Sequence, residues 1–253
     1  MSRRLLHTLP AVLLLLWGAP ALAKKDLTVA EQYELGLRYL KRGYYVKAME
    51  TFNRIRNYHR DDPMAVKAEL AIGDVFYKQR EWTLARQAYT DFSRMHPRHP
   101  DLDYVAYRVG MASFRQASRY VGRDQTHTAN AVAAWTGFAK RFPESEHLAE
   151  VEEKLEISRE RLAMKEIWIA RFYKRRAAWK AVLKRADGVL YEYQDTKHLP
   201  KAISLFGEAS AWEGREDEAR GAVERLREDD PAAAEKLAKQ IAKIQAKLEK
   251  KER

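Results

Sequence analysis

The chain of 253 residues contains no cysteine. That absence excludes a disulfide scaffold, a zinc-ribbon or iron–sulfur site, a thiol nucleophile and an acylated cysteine. Glycine and proline are also scarce, 11 and 8 residues, too few for a collagenous or low-complexity chain. Acidic side chains fall short of basic ones, 36 against 47, so the formal net charge is +11. Such an excess permits nucleic acid, anionic lipid or an acidic protein as a partner and does not choose among them. Beyond the first 23 residues no apolar run approaches the roughly 20 residues that cross a bilayer. Catalytic signatures are missing too: no Gly-rich phosphate loop, no G-x-S-x-G elbow and no H-E-x-x-H pair. His96 and His99 are separated by Pro97 and Arg98 in a turn, with no carboxylate at helical ligand spacing. The expectation is a binder, not an enzyme, with no cofactor and no metal.

The first 23 residues have the form of an export signal. Arg3 and Arg4 precede an apolar stretch from Leu9 to Trp17, and Ala21-Leu22-Ala23 supplies a small-x-small cleavage pattern. Cleavage after Ala23 would release the remainder outside the cytoplasm, where nucleic acid is not the usual company.

The rest counts in helix pairs. Gly36 is followed twelve residues later by Ala48 and sixteen later by Phe52. Gly73 is followed at the same offsets by Ala85 and Tyr89, and Gly207 by Ala219 and Val223. Gly36, Gly73 and Gly110 stand 37 residues apart. After Gly110 the register returns nine residues late, as Ala131, Trp135, Phe138 and Pro143. Small residues on two antiparallel helices let the backbones approach, larger ones fill the gap to the next pair, and the closing proline ends the unit. The spacing predicts an all-α tetratricopeptide-repeat superhelix, an α-solenoid of about five helix pairs with a C-terminal capping helix. Four units lie near 29–63, 65–97, 102–143 and 200–231. A degenerate one, 146–196, lacks the glycine and is read through Phe172, Trp179 and Ala181. Its leading segment, Leu148 through Ile169, keeps helical spacing as one long helix or two collinear ones. The expected divisions are a signal peptide 1–23, an N-terminal half 24–143, a C-terminal half 144–231 and a basic amphipathic helix 232–253.

In stacked helix pairs the first helices line the concave face. The positions around each glycine that turn away from the second helix are Tyr33, Leu37, Leu40 and Lys41, then Leu70, Asp74, Tyr77 and Lys78. In the third unit they are Tyr107, Met111, Phe114 and Arg115. Rigid aromatics interspersed with cations suit an extended peptide with apolar side chains and a terminal carboxylate.

Several stretches resemble one family. They are His99-Pro100-Asp101-Leu102-Asp103-Tyr104-Val105-Ala106-Tyr107-Arg108-Val109-Gly110, the insert Gly122-Arg123-Asp124-Gln125-Thr126-His127, Phe172 to Trp179, and Tyr191-Glu192-Tyr193-Gln194-Asp195-Thr196. In this order they resemble the BamD family, the outer membrane protein assembly factors, over about residues 29–231. The resemblance implies a periplasmic scaffold at the inner leaflet of the outer membrane. Its first repeats would receive C-terminal peptides of unfolded outer-membrane proteins. Its later repeats would dock on a BamA-like barrel protein through the membrane-proximal POTRA domain. Arg185, in Lys184-Arg185-Ala186-Asp187-Gly188, and the insert residues Arg123 and Asp124 are the docking residues so implied. Two departures stand out: Gln194 where the family usually has proline, and Ala23-Lys24 where it has an acylated cysteine. Without that cysteine a lipid anchor is not expected, and membrane association would be peripheral, through partners or the basic surface. The alternative is a periplasmic adaptor that coordinates cell-wall or secretion complexes.

Overall fold

A hydroxyl or a carboxylate followed closely by proline opens several of the helices. Thr28 Oγ1 accepts from the Glu31 amide at 3.2 Å while Glu31 Oε2 accepts from the Thr28 amide at 2.8 Å, a reciprocal cap. Asp62 and Asp230 accept the amides of Met64 and Ala233 at 2.8 and 2.9 Å, each with a proline next in sequence.

The structure, a computed structural model, describes residues 27–252; the expected signal peptide lies outside them. Among these residues there are twelve helices and no strand. The first two hairpins are α1 (Val29–Lys41) with α2 (Tyr45–Tyr58) and α3 (Pro63–Lys78) with α4 (Trp82–Met95). The third joins α5 (Leu102–Gln116) to α6 (Thr126–Trp135), with the single turn α7 (Phe138–Arg141) behind it. The fourth and fifth are α8 (Leu148–Lys174) with α9 (Trp179–Glu192) and α10 (Leu199–Trp212) with α11 (Glu216–Asp229); α12 (Pro231–Glu252) closes the chain. Nearly every helix packs on the ones before and after it in sequence, and α1 also meets α3, as α8 meets α10. That nearest-neighbour pattern is the tetratricopeptide stack the spacing predicts. No helix among the described residues is long and apolar enough to cross a membrane.

The glycines have a different partner from the one expected. A methyl carbon added at Gly36 would lie 2.6 Å from the Phe52 ring, at Gly73 2.7 Å from Tyr89, and at Gly110 2.1 Å from Trp135. It is the aromatic sixteen residues on, or twenty-five in the third pair, that needs the room, more than the alanine at the crossing. Phe52, Tyr89 and Trp135 are accordingly among the most deeply buried side chains. At Gly207 the space is taken instead by Ala222 and by Leu237 of α12, at 2.8 and 3.0 Å.

Four of the turns inside pairs repeat one geometry. The amides of Tyr44, Glu81, Ala178 and Arg215 donate to the carbonyls of Tyr39, Phe76, Tyr173 and Ser210, at 2.9, 2.9, 3.2 and 2.9 Å. Just before each stands a left-handed residue: Gly43 (φ 77°), Arg80 (64°), Ala177 (52°) and Gly214 (72°). This is the Schellman end of a helix, which favours glycine. It also corrects the register of the fourth pair. Each left-handed residue follows the small first-helix residue by seven, so the place of the missing glycine belongs to Ala170. The later offsets fall on Val182 and Ala186, not on Trp179 and Ala181. Ala170, Val182 and Ala186 are fully buried in one cluster. An alanine where the first three pairs have glycine is matched by an alanine where pairs one and two have an aromatic.

The segment from Leu148 to Lys174 is one helix of 27 residues. In α12, Leu237, Ile241 and Ile244 bury against α10 and α11, while the lysines of the other face remain in water.

Candidate functional site

The first helices bring a cluster of tyrosines around one carboxylate and one guanidinium. Asp74 on α3 accepts through a single oxygen, Oδ1, from the Tyr89 hydroxyl of α4 at 2.6 Å and the Tyr104 hydroxyl of α5 at 2.5 Å. Burial pushes the Asp74 carboxyl up from its ordinary value, against these bonds and the nearby Arg108 charge, which pull it down. Burial, and the Asp74 charge after it, hold both tyrosine hydroxyls well above their usual range.

Arg108, one helical turn after Tyr104, lies among three rings. Its guanidinium carbon is 4.6 Å from the centroid of Tyr77, 4.9 Å from Tyr104 and 5.2 Å from Tyr107. Tyr77 in turn meets Trp82 edge-on at 5.0 Å. Tyr107 stacks on His147, at 4.3 Å and an interplanar angle of 10°, and donates its hydroxyl to Glu150 at 2.8 Å. Burial first, then that bond, push the Tyr107 phenol up to about 12. The Tyr107 carbonyl accepts from the Trp135 indole at 3.3 Å, which ties the cluster to the core of the third pair.

Of the residues the sequence singled out for a groove, the structure brings Asp74, Tyr77 and Tyr107 together. Tyr33 and Leu37 pack half-buried in the first pair's cluster, Tyr33 5.7 Å from Phe52. Leu40 belongs to the same cluster and Leu70 to the next. Met111 is 2% exposed and presents no surface. Phe114 leans on Trp135 at 6.1 Å, under the Arg161 guanidinium at 5.6 Å. Lys41, Lys78 and Arg115 are exposed at the ends of α1, α3 and α5. Tyr104, Arg108 and His147 were not singled out. A usable signal existed: Tyr104 and Arg108 are four apart on one helix, and Arg108 stands two before Gly110.

The candidate docking residues gather along the second half of α8. Arg185 on α9 reaches Glu166 with Nη1 at 3.0 Å, both partly exposed. The carbonyl of Arg123 accepts from Lys165 at 3.0 Å. Gly122 lies against Trp168. Asp124 accepts from the Thr126 amide at 3.2 Å and hydroxyl at 2.9 Å, which hold its carboxyl below the usual range. It thus holds Thr126, the first residue of α6, and the Arg123 side chain is exposed. Residues 165 and 168 thus lie against the insert, and residue 166 holds Arg185.

The chain is similar to several known proteins. The family model described as YfiO, outer membrane lipoprotein, matches residues 25–226. The outer membrane protein assembly factor BamD of Rickettsia prowazekii is 28% identical over 222 residues, 86% of this chain and 87% of the relative. That of Caulobacter vibrioides is 28% identical over 214 residues, 81% and 70% of the two chains. That of Neisseria meningitidis serogroup B is 24% identical over 190 residues, 72% and 71%. Among solved structures, a thermophilic TPR protein of Thermus thermophilus aligns with 86% of this chain and 98% of its own, at 19% identity and a TM-score of 0.39. The family match spans most of the chain, and the helix pairs that it covers are those that carry the tyrosine cluster and Arg185: the chain belongs to the YfiO family of outer membrane lipoproteins.

Proposed function

We propose that this chain is a non-catalytic scaffold for the assembly of β-barrel proteins into the outer membrane. The support is the family match over residues 25–226, together with relatives named as assembly factors along most of their length. Within that role, the face built from α1, α3 and α5 takes an extended peptide of an unfolded client. Tyr77 and Tyr107 offer rigid contact area, and the exposed Lys41, Lys78 and Arg115 steer an acidic end toward it. The far side of α8 and α9, around Arg185, docks on a POTRA-containing barrel component. Arg185 is already oriented by Glu166, so a partner carboxylate would have to share or displace that bond. The chain works on the periplasmic face of the outer membrane, as a peripheral protein.

Capture from a gentle envelope extract tests the reading. The tagged protein should recover a POTRA-containing barrel protein, and Arg185→Glu, which places two carboxylates together, should reduce that recovery by about tenfold. Recovery of cell-wall synthases or secretion components in its place would replace this role with the adaptor role.

A further inference from the structure

We infer that the lysine face of α12, with the cleft at its root, is a docking surface for a bilayer rich in anionic phospholipid; the inference rests on the reading of this chain as a peripheral membrane protein.

The face is a stripe. A helical rotation of about 100° per residue puts Lys236, Lys239, Lys243, Lys247 and Lys250 within a sector of about 80°. They extend over about 21 Å of the helix, and all five are exposed. The opposite side, Leu237, Ile241 and Ile244, is buried against α10 and α11, so what α12 turns outward is charge and not an apolar face. The helix holds six lysines against three glutamates. Glu235 pairs with Lys239 at 2.5 Å, and Lys247 lies over the Trp212 ring at 5.3 Å. Among the described residues Lys236 and Lys243 have no acidic partner.

The stripe begins at a cleft. Between α10 and α12 a cavity of about 430 Å³ is ringed by Lys174, Lys197, Lys201 and Lys236 over a floor of Leu205 and Leu237. Two acids line it, and both are engaged: Glu208 by Lys174, and Asp230 by the Ala233 amide at 2.9 Å. Lys197 is shared with Glu160 at 3.4 Å, whereas Lys201, like Lys236, is exposed with no acidic partner among the described residues. Lys236 belongs to the cleft and to the stripe alike, so one headgroup phosphate seated in the cleft lies in line with others along the helix. The apolar floor accepts the glycerol end of such a headgroup.

The side chains favour a bilayer over an acidic protein. The exposed residues of α12 are lysine, glutamate, alanine and Pro231, with no aromatic and no arginine among them. Protein interfaces draw on aromatics, methionine and arginine and are poor in lysine, glutamate and alanine. Lysine is also a point charge on a flexible stem, which follows headgroups that shift, whereas the rigid fork of arginine suits a fixed carboxylate. Charge without an exposed apolar face gives adsorption to the surface, not insertion.

The test is flotation with vesicles, using the processed protein purified from the envelope. Vesicles of phosphatidylcholine with about a third phosphatidylglycerol should bind it at least about tenfold better than phosphatidylcholine alone, and about 0.5 M sodium chloride should release it. Lys236→Gln with Lys243→Gln should lower the binding by at least about tenfold. Lys67→Gln with Lys140→Gln, which removes the same charge from other exposed sites, should change it by less than about twofold. Inorganic phosphate at about 10 mM should release no more protein than chloride of equal ionic strength. Equal binding to both vesicles, equal loss in the two double variants, or specific release by phosphate overturns the lipid surface; so does crosslinking of the α12 lysines to an acidic envelope protein with no vesicle binding. Each of these leaves the assembly role standing, because recovery of a POTRA-containing barrel protein tests that role separately.

Discussion

Asp74 and Glu208 occupy the same place in their helices, one residue after Gly73 and Gly207, and the two halves of the molecule treat them in opposite ways. Asp74 is satisfied by neutral hydroxyls, and Arg108 beside it lies among tyrosine rings with its Nε unbonded. Glu208, 6% exposed, is taken directly by Lys174 of the preceding pair. The packing differs in the same sense. The first three pairs wedge an aromatic ring against glycine, whereas the fourth sets alanine against alanine. The first half thus builds its interior from rings and hydroxyls. A small-residue interior whose charges are already matched is suited to holding shape.

The hardest way to break this contrast is Trp135→Ala. Emptying the wedge of the third pair should cost about 3–5 kcal/mol in urea unfolding and remove the anchor of the Tyr107 carbonyl. Loss of under about 1 kcal/mol would mean that the wedge does not organise that half. Next in size is the pair of buried acids. Glu208→Gln leaves Lys174 without its partner and should cost about 1–3 kcal/mol. Asp74→Asn keeps an oxygen for both hydroxyls and should cost well under about 1 kcal/mol. Equal losses would erase the distinction between hydroxyl-held and ion-paired acids.

Arg80→Gly and Ala177→Gly, one in each half, should each stabilise by about 1 kcal/mol, seen as a higher Tm, because both relieve a left-handed backbone. A gain in one half only would show that the shared turn geometry is not equally strained. The smallest effect is one of sign. The Asp74 carboxyl is raised in the folded chain by burial, so its contribution is present at low pH and lost as pH rises through the raised value. The Asp195 carboxyl is lowered, chiefly by its bonds from Arg159, so its contribution is present above the ordinary carboxylate value and lost as pH falls through the lowered one. Stability measured against pH for Asp74→Asn and Asp195→Asn should therefore differ from the parent with opposite slopes.

The stack was legible in the sequence because Gly36, Gly73, Gly110 and Gly207 mark a steric need that few other residues meet. The fourth pair was not, because alanines stand at both marker positions, Ala170 and Ala186, and fill the space between the helices without a glycine or an aromatic to mark it. Half of the candidate site was legible for a related reason. Asp74, Tyr77 and Tyr107 follow from walking outward from a glycine along one helix. Tyr104, Arg108 and His147 join them only when α3, α5 and the start of α8 meet, and one-helix periodicity carries no record of that meeting. The same walk chose Met111, whose position turns inward under Trp135 and Phe138.

One helix belongs to both halves. At its beginning α8 sets His147 and Glu150 against Tyr107, and toward its end it sets Glu166 against Arg185. Its 27 residues make a rod about 40 Å long with no internal break. As a lever of that length, it turns a tilt of about 3° at one end into a displacement of about 2 Å at the other. A tilt imposed at the Arg185 end would therefore be carried to the floor beneath the tyrosines, since the helix has no internal break to absorb it.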